Sequence, residues 1–214
     1  MGRLILNEFN NIIEEPKNAY IVFFKKGWQK SQNAWSYFTQ KLSKECYNKL
    51  KIEDLKGFLS NMRKDQKYIL IFLDDVILTG SQFIDFFEDE MINLIDDIEE
   101  IVLSNENVHF YIVAGLGSFV SRKNISQQIS LFEEDSIRFG RTIKERDQAF
   151  SHQHFPDPDI RDELIRFLKK KHPLEWKGYK DSQCLVVLEW NTPDNTIGCL
   201  RKNTNDWKAL FPRN

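Results

Sequence analysis

An α/β fold, a mainly parallel open sheet with helices on both faces, is what this 214-residue chain predicts. Three observations carry that expectation. Four solid apolar runs punctuate the sequence, at Ala19–Phe24, Tyr68–Leu73, Val108–Ala114 and Cys184–Leu188. Segments with helical spacing separate them, and each run is followed by residues rich in glycine, hydroxyl, amide or charged groups. A continuous apolar run marks a strand covered on both faces, and strands that alternate with helices pair in parallel.

The elements follow in order. AYIVFF is the first strand, and the polar stretch KKGWQKSQ after it leads to a helix through Trp35, Phe38, Leu42 and Cys46. Ile52, Leu55, Phe58, Leu59 and Met62 recur at helical spacing, which predicts an amphipathic helix over Ile52–Arg63. The strand Tyr68–Leu73 comes next. Phe83, Phe86, Phe87, Met91, Leu94, Ile95 and Ile98 mark one face of a long helix, and the acidic run from Glu88 to Glu100 reads as its solvated side. VHFYIVA is the third strand, closed by a loop Gly115-Leu116-Gly117-Ser118. Ser121–Phe150 predicts only helical or irregular segments covering the sheet edge. Asp157 and Pro158 open a helix as cap and first helical residue. Ile160, Leu164, Phe167 and Leu168 are its expected buried stripe, and Lys169–Lys171 oppose the negative end of its dipole. CLVVL is the fourth buried strand.

Composition narrows the class. Hydrophobic residues make up 41% and charged residues 29%, so the chain is not of the disordered type. The length suits one domain spanning residues 1–214. A net charge of −2 removes nonspecific nucleic-acid binding as the default, while leaving a local basic patch open. Three cysteines without a CxxC pair suit a reducing cytoplasm, with Cys46 and Cys184 as small buried hydrophobes. The longest apolar run, Ile69–Leu73, is far short of the ~20 residues of a membrane span. The expectation is a cytoplasmic protein with no membrane partner.

In open α/β sheets ligands bind beyond the carboxyl ends of the strands. The four segments there are KKGWQKSQ, DDVILTGSQ, GLGS and EWNTPDNT. The second is the most specific. Asp74 and Asp75 end an otherwise apolar strand, a costly place for carboxylates without hydrogen-bond donors, a ligand or water. Two adjacent carboxylates can accept bonds from neighbouring ribose hydroxyls. Thr79, Gly80, Ser81 and Gln82 then enter a helix whose first amides and dipole favour a phosphate. A plain strand, turn and capped helix uses the same residue types. Lys25, Lys26 and Lys30 can either face a pyrophosphate or form a solvated loop. Asn191, Thr192 and Asn195 can contact a nucleobase or acceptor, or make ordinary turns. Trp207 is expected in a core rather than on a base, and His152 and His154, lacking a third ligand, on the surface.

LIFLDDVILTGSQF resembles the phosphoribosyl pyrophosphate (PRPP) loop of type I phosphoribosyltransferases, although Leu78 stands where a small hydroxyl residue is usual and Gln82 where Thr or Ser is usual. Together with GYKDSQCLVVLEWNTPDNT at Gly178–Thr196 and Trp207–Arg213, it is similar to the conflict-system phosphoribosyltransferase-like family, PRTase-CE. The resemblance implies a type I phosphoribosyltransferase core in an antiphage effector, some members of the family being encoded beside retron reverse transcriptases. By position, Asp74 and Asp75 would take the ribose hydroxyls as catalytic-site residues, and Thr79, Gly80, Ser81 and Gln82 the 5-phosphate. Mg²⁺ is the expected cofactor, although no ligand for it can be named, and PRPP or a nucleotide the expected small-molecule partner. A reverse transcriptase with noncoding RNA or DNA is a further implied partner. A transferase or nucleotide-consuming toxin, a catalytically silent sensor and an interaction module all remain compatible with these residues.

Overall fold

The computed structural model describes residues 2–13, 18–23, 48–91, 95–187 and 196–212, the side chains of 2, 23, 95–97 and 103 excepted. The chain forms two compact units, residues 1–142 and 143–214.

The first unit holds a five-stranded sheet in the order β2-β1-β3-β4-β5. Its strands are β1 (Ala19–Phe23), β2 (Asn48–Lys51), β3 (Tyr68–Ile77), β4 (Val108–Ser118) and β5 (Ile137–Ile143). β1 pairs in parallel with β2 and β3, and β3 pairs in parallel with β4 from Tyr68↔Val108 to Ile77↔Gly117. Helices cover both faces. On one, α1 (Gly2–Ile12) sets Ile5 and Phe9 against Ile21, Ile69, Ile71 and Val113. On the other lie α2 (Leu55–Ser60), α3 (Ser81–Met91), α4 (Ile95–Leu103) and α5 (Phe119–Gln128). There Phe72 is surrounded by the rings of Phe83, Phe87, Phe110 and Phe132, with centroids 5.6–6.4 Å away and three of the four edge-on.

Several elements differ from the sequence expectation. The helix expected over Ile52–Arg63 is a single 3₁₀ turn, Ile52–Asp54, followed by the short α2. Asn61 ends it early, its side-chain amide donating to Gly57 O at 2.7 Å. The long helix after β3 is described over Ser81–Met91 and Ile95–Leu103, with residues 92–94 outside the described residues. The helix through Trp35–Cys46 lies outside the described residues, as does Phe24. Both sheet edges are unforeseen strands. β2 buries only Leu50, and β5 alternates buried Ile137 and Phe139 with exposed Arg138, so neither is a solid apolar run.

The second unit contains α6 (Pro158–Lys171) and α7 (Gly198–Arg201). Asp157 caps α6 as expected, accepting from the amides of Asp159 (2.9 Å) and Ile160 (3.4 Å). Its buried stripe is narrower than expected. Leu168 is buried, but Ile160 and Phe167 are 57% and 44% exposed. Leu168 joins Ala149, Phe150, Ile197 and Cys199 in a small core, with Trp176 and Trp207 packed on it. Trp207 has a packing role, its indole N–H donating to Cys199 O at 2.9 Å.

CLVVL is not a fourth sheet strand. Cys184 makes one isolated bridge to Thr196, while Leu185 and Val187 are exposed and Leu188 lies outside the described residues. The place beyond β4 is taken by β5. Cys184 itself is buried, and burial pushes its thiol up to about 11. No described helix is long and apolar enough to cross a membrane.

Candidate functional site

β3 is apolar and buried from Tyr68 to Phe72 and then carries Asp74 and Asp75, both half-buried. They do not end the strand. The ladder to β4 continues past them through Val76↔Leu116 and Ile77↔Gly117, so the connecting loop is only Leu78–Gly80. For the same reason Gly115–Ser118 is not a loop but the extended end of β4. Within β3 each carboxylate folds onto the chain just ahead of it. Asp74 Oδ1 accepts from the Asp75 amide at 2.8 Å, and Asp75 Oδ1 from the Val76 amide at 2.9 Å. These bonds engage one oxygen of each group. Desolvation, followed by the neighbouring Asp75 charge, holds the Asp74 carboxyl well above the usual carboxylate range.

The loop after β3 turns at Gly80, whose φ of 80° suits glycine. A Cβ there would meet Ile125 Cγ1 at 3.0 Å and Ser121 O at 3.2 Å. α3 starts at Ser81, with the Ile84 amide donating back to Gly80 O at 2.9 Å. The amides of its first turn have no partner within the helix, so they are available to an anion. Thr79 and Ser81 are half-buried beside them and Gln82 is exposed.

The cap and first two turns of α5 fix this loop, a role the sequence reading missed. Ser118 Oγ donates to Leu78 O at 2.5 Å, Ser121 Oγ to Ile77 O at 2.8 Å and Asn124 Nδ2 to Thr79 O at 3.0 Å. Three successive carbonyls are thus held from one helix. Ser118 also caps α5, accepting from the Ser121 amide at 3.0 Å. The available signal was the spacing Ser118-x-x-Ser121 before a helix, which reads as a capping box. The fit is close at Gly117, where a Cβ would lie 2.3 Å from the Phe139 ring.

The structure places Asp74 and Asp75 inside β3, and Thr79, Gly80, Ser81 and Gln82 in the loop and first turn of α3 that follow. Lys25, Lys26, Lys30, Asn191, Thr192 and Asn195 lie outside the described residues. CLVVL is not a strand of the sheet, so the expectation of four sheet strands each followed by a site loop is not met. His152 and His154 are exposed, and among the described residues no group of three or more His, Cys, Asp and Glu could hold a metal. The acidic pair nevertheless fits Mg²⁺ chemistry. It offers hard oxygen donors in a place crowded with negative charge, and Mg²⁺ beside phosphates keeps most of its shell as water and ligand oxygens.

The PRTase-CE family model matches residues 5–213. No curated protein matches the chain. Among solved structures, AQ2163 protein from Aquifex aeolicus is similar at 12% identity and a TM-score of 0.38, over 67% of this chain and 71% of that one. Helicobacter pylori xanthine-guanine-hypoxanthine phosphoribosyltransferase is similar at 7% identity and a TM-score of 0.30, over 76% of this chain and 90% of that one.

Proposed function

The chain belongs to the PRTase-CE family, and from that membership we propose that it is an antiphage-defence effector binding PRPP or a nucleotide, with Mg²⁺, at the end of β3. The observation that carries this reading is local: two adjacent acidic side chains, then a loop that turns at a positive-φ glycine into a helix N-terminus. Those features match the two ends of a ribose 5-phosphate. Asp74 and Asp75 accept the ribose hydroxyls. The amides of the first turn of α3, with the Thr79 and Ser81 hydroxyls and the Gln82 amide, take the 5-phosphate.

Mg²⁺, when bound, neutralises charge on the phosphate or pyrophosphate oxygens. The carboxyl groups of Asp74 and Asp75 are the protein groups that would face it. In turnover the bond from the ribose anomeric carbon to its leaving group breaks, and the protein contributes positioning and electrostatics. Regulation in a retron-type system, with a reverse transcriptase and its noncoding RNA or DNA as partners in the cytoplasm, belongs to the same proposal. Its support is the resemblance at Gly178–Thr196 and Trp207–Arg213.

A catalytically silent sensor is the second reading. The same groups would bind a ribosyl phosphate without turning it over. Incubation with PRPP, Mg²⁺ and a nucleotide mixture, with and without partners, separates the two. Pyrophosphate or a new nucleoside product supports the enzyme. Saturable binding without product under every condition supports the sensor. Asp75→Asn keeps an Oδ1 for the Val76 amide but loses the charge, and should abolish the ligand effect in both cases.

A further inference from the structure

β4 runs eleven residues, and β5, the last strand of the sheet, only seven. Part of the β4 edge therefore has no strand beside it. The Phe139 ring lies against Gly117, which sets β5 along the C-terminal half of β4. At the N-terminal half there is instead a cavity of about 410 Å³, lined by four consecutive residues, Val108–Tyr111. Their side chains alternate between the faces of the sheet. Val108 and Phe110 belong to the core beneath α2–α5, whereas Tyr111 packs with the α1 cluster. A cavity that touches all four faces the edge of the strand, not one of its faces. Its opposite wall comes from the stretch 130–138, which leads into β5.

The hydrogen bonds of the strand show what that edge offers. The Tyr68 amide donates to Asn107 O at 2.7 Å, so the main-chain groups of Asn107, His109 and Tyr111 turn toward β3. Val108 O and the amide and carbonyl of Phe110 turn the other way, to the cavity side. The Val108 amide donates to Asn105 O at 3.1 Å, and among the described residues no loop main-chain group reaches the other three. Such an edge is a template for another strand. The lining sets what that strand carries. Val102 and Leu131 supply apolar surface, and the carboxylates of Glu99, Glu133 and Asp135 outnumber the one guanidinium, Arg138. Lysine or arginine suits both, with its stem on the apolar wall and its head at the carboxylates.

We propose that this edge docks an extended, lysine- or arginine-bearing segment of a partner protein, which adds to β4 end to end with β5. The β3–α3 loop lies at the other end of β4, roughly 30 Å away at ~3.3 Å per residue. The inference therefore does not rest on the ribosyl-phosphate reading.

The test is calorimetric titration of the full chain with capped hexapeptides: alternating lysine and valine, alternating glutamate and valine, and the lysine peptide with every amide N-methylated. Lysine amide is the small-molecule control. The lysine peptide should bind saturably below about 1 mM, and the other three probes at least about 10-fold more weakly. Its binding should slow hydrogen exchange at the Phe110 amide and leave the His109 amide, which is turned toward β3, unchanged. E133K/D135K reverses two exposed charges, and should weaken the lysine peptide about 10-fold while keeping the melting temperature within about 2 °C of wild type. Equal binding of the N-methylated peptide overturns the proposal, by making the contact one of charge alone. Lysine amide that binds as tightly as the hexapeptide overturns it in favour of a small amine. Equal binding of the glutamate peptide, or unchanged affinity in E133K/D135K, overturns the basic partner. No binding of the lysine peptide, or no slowing at Phe110, overturns the docking edge itself.

Discussion

At Asp74 two demands meet, since the position that suits a ribose hydroxyl or a cation is a poor one for a charge without them. Its folded-state pKa is raised above the ordinary value of 3.8, so the folded chain holds a proton that the unfolded chain releases. The stability from this group is therefore complete below pH 3.8 and is lost as pH rises through the raised value. Asp74→Asn removes that cost. The unliganded melting temperature at pH 7.5 should rise by about 2–4 °C, the shift that roughly 1 kcal/mol gives in a chain of this size, while PRPP no longer stabilises the variant. A melting temperature at or below wild type would contradict the crowding of charge. The same proton must leave when Mg²⁺ binds, so affinity for Mg²⁺ and PRPP should strengthen as pH rises, with proton uptake by buffer in calorimetry. Gly80 is a separate test. Gly80→Ala forces a side chain into a left-handed turn against Ile125 and should cost about 1–2 kcal/mol in denaturant melts.

Elements explain why the loop stays in place. The start of α5, from its cap Ser118 to Asn124, holds the carbonyls of Ile77, Leu78 and Thr79, so the β3–α3 connection is supported from a separate element. Ser121→Ala should leave Ile77 O without its buried partner, at a cost of about 1–3 kcal/mol. Hydrogen exchange at Thr79–Ser81 should quicken more than exchange in the β1–β2 pair. Equal exchange in both places would mean that the loop is rigid without α5. The central strands and the start of α3 were legible because β1, β3 and β4 are continuous apolar runs and Gly80-Ser81 opens a periodic segment. The sheet edges were not. β2 offers only Leu50 to the core, and β5 alternates as a half-buried strand does, a pattern not sought in that region. α1 was also legible in principle, with Ile5, Phe9 and Ile12 at helical spacing. CLVVL misled for the opposite reason. Its apolar run makes one isolated bridge, at its first residue, and two of its four described side chains are exposed, so composition without pairing partners overstated it.

Over the whole chain, the described part of the site belongs to the unit of residues 1–142, and the unit of residues 143–214 has its own core. The two should respond to acid with opposite signs. In the second unit His172 is buried against Trp207, and burial holds its pKa below the ordinary 6.5, with Lys202 acting in the same direction and Glu175 against it. A lowered histidine pKa contributes stability above pH 6.5 that is lost as pH falls through the lowered value. Acidification should therefore loosen peptides around 164–176 and 197–207 in hydrogen exchange corrected for intrinsic rate. His172→Gln should lose most of that dependence; an unchanged pH response in the variant would place it elsewhere. The family was legible from three separated segments of sequence, but the ligand site was only half so: the acidic pair and the Thr79–Gln82 run stand out in one segment, whereas the Ser118-x-x-Ser121 spacing announces only a helix cap and the bonds of Ser118, Ser121 and Asn124 to the β3–α3 loop are tertiary. The central claim is that this chain binds a ribosyl phosphate through Asp75 and the β3–α3 loop. Calorimetric titration of the full chain with PRPP and Mg²⁺ tests it most directly: the account predicts saturable binding that Asp75→Asn abolishes without lowering the melting temperature, and the absence of binding by wild type, or equal binding by the variant, would contradict it.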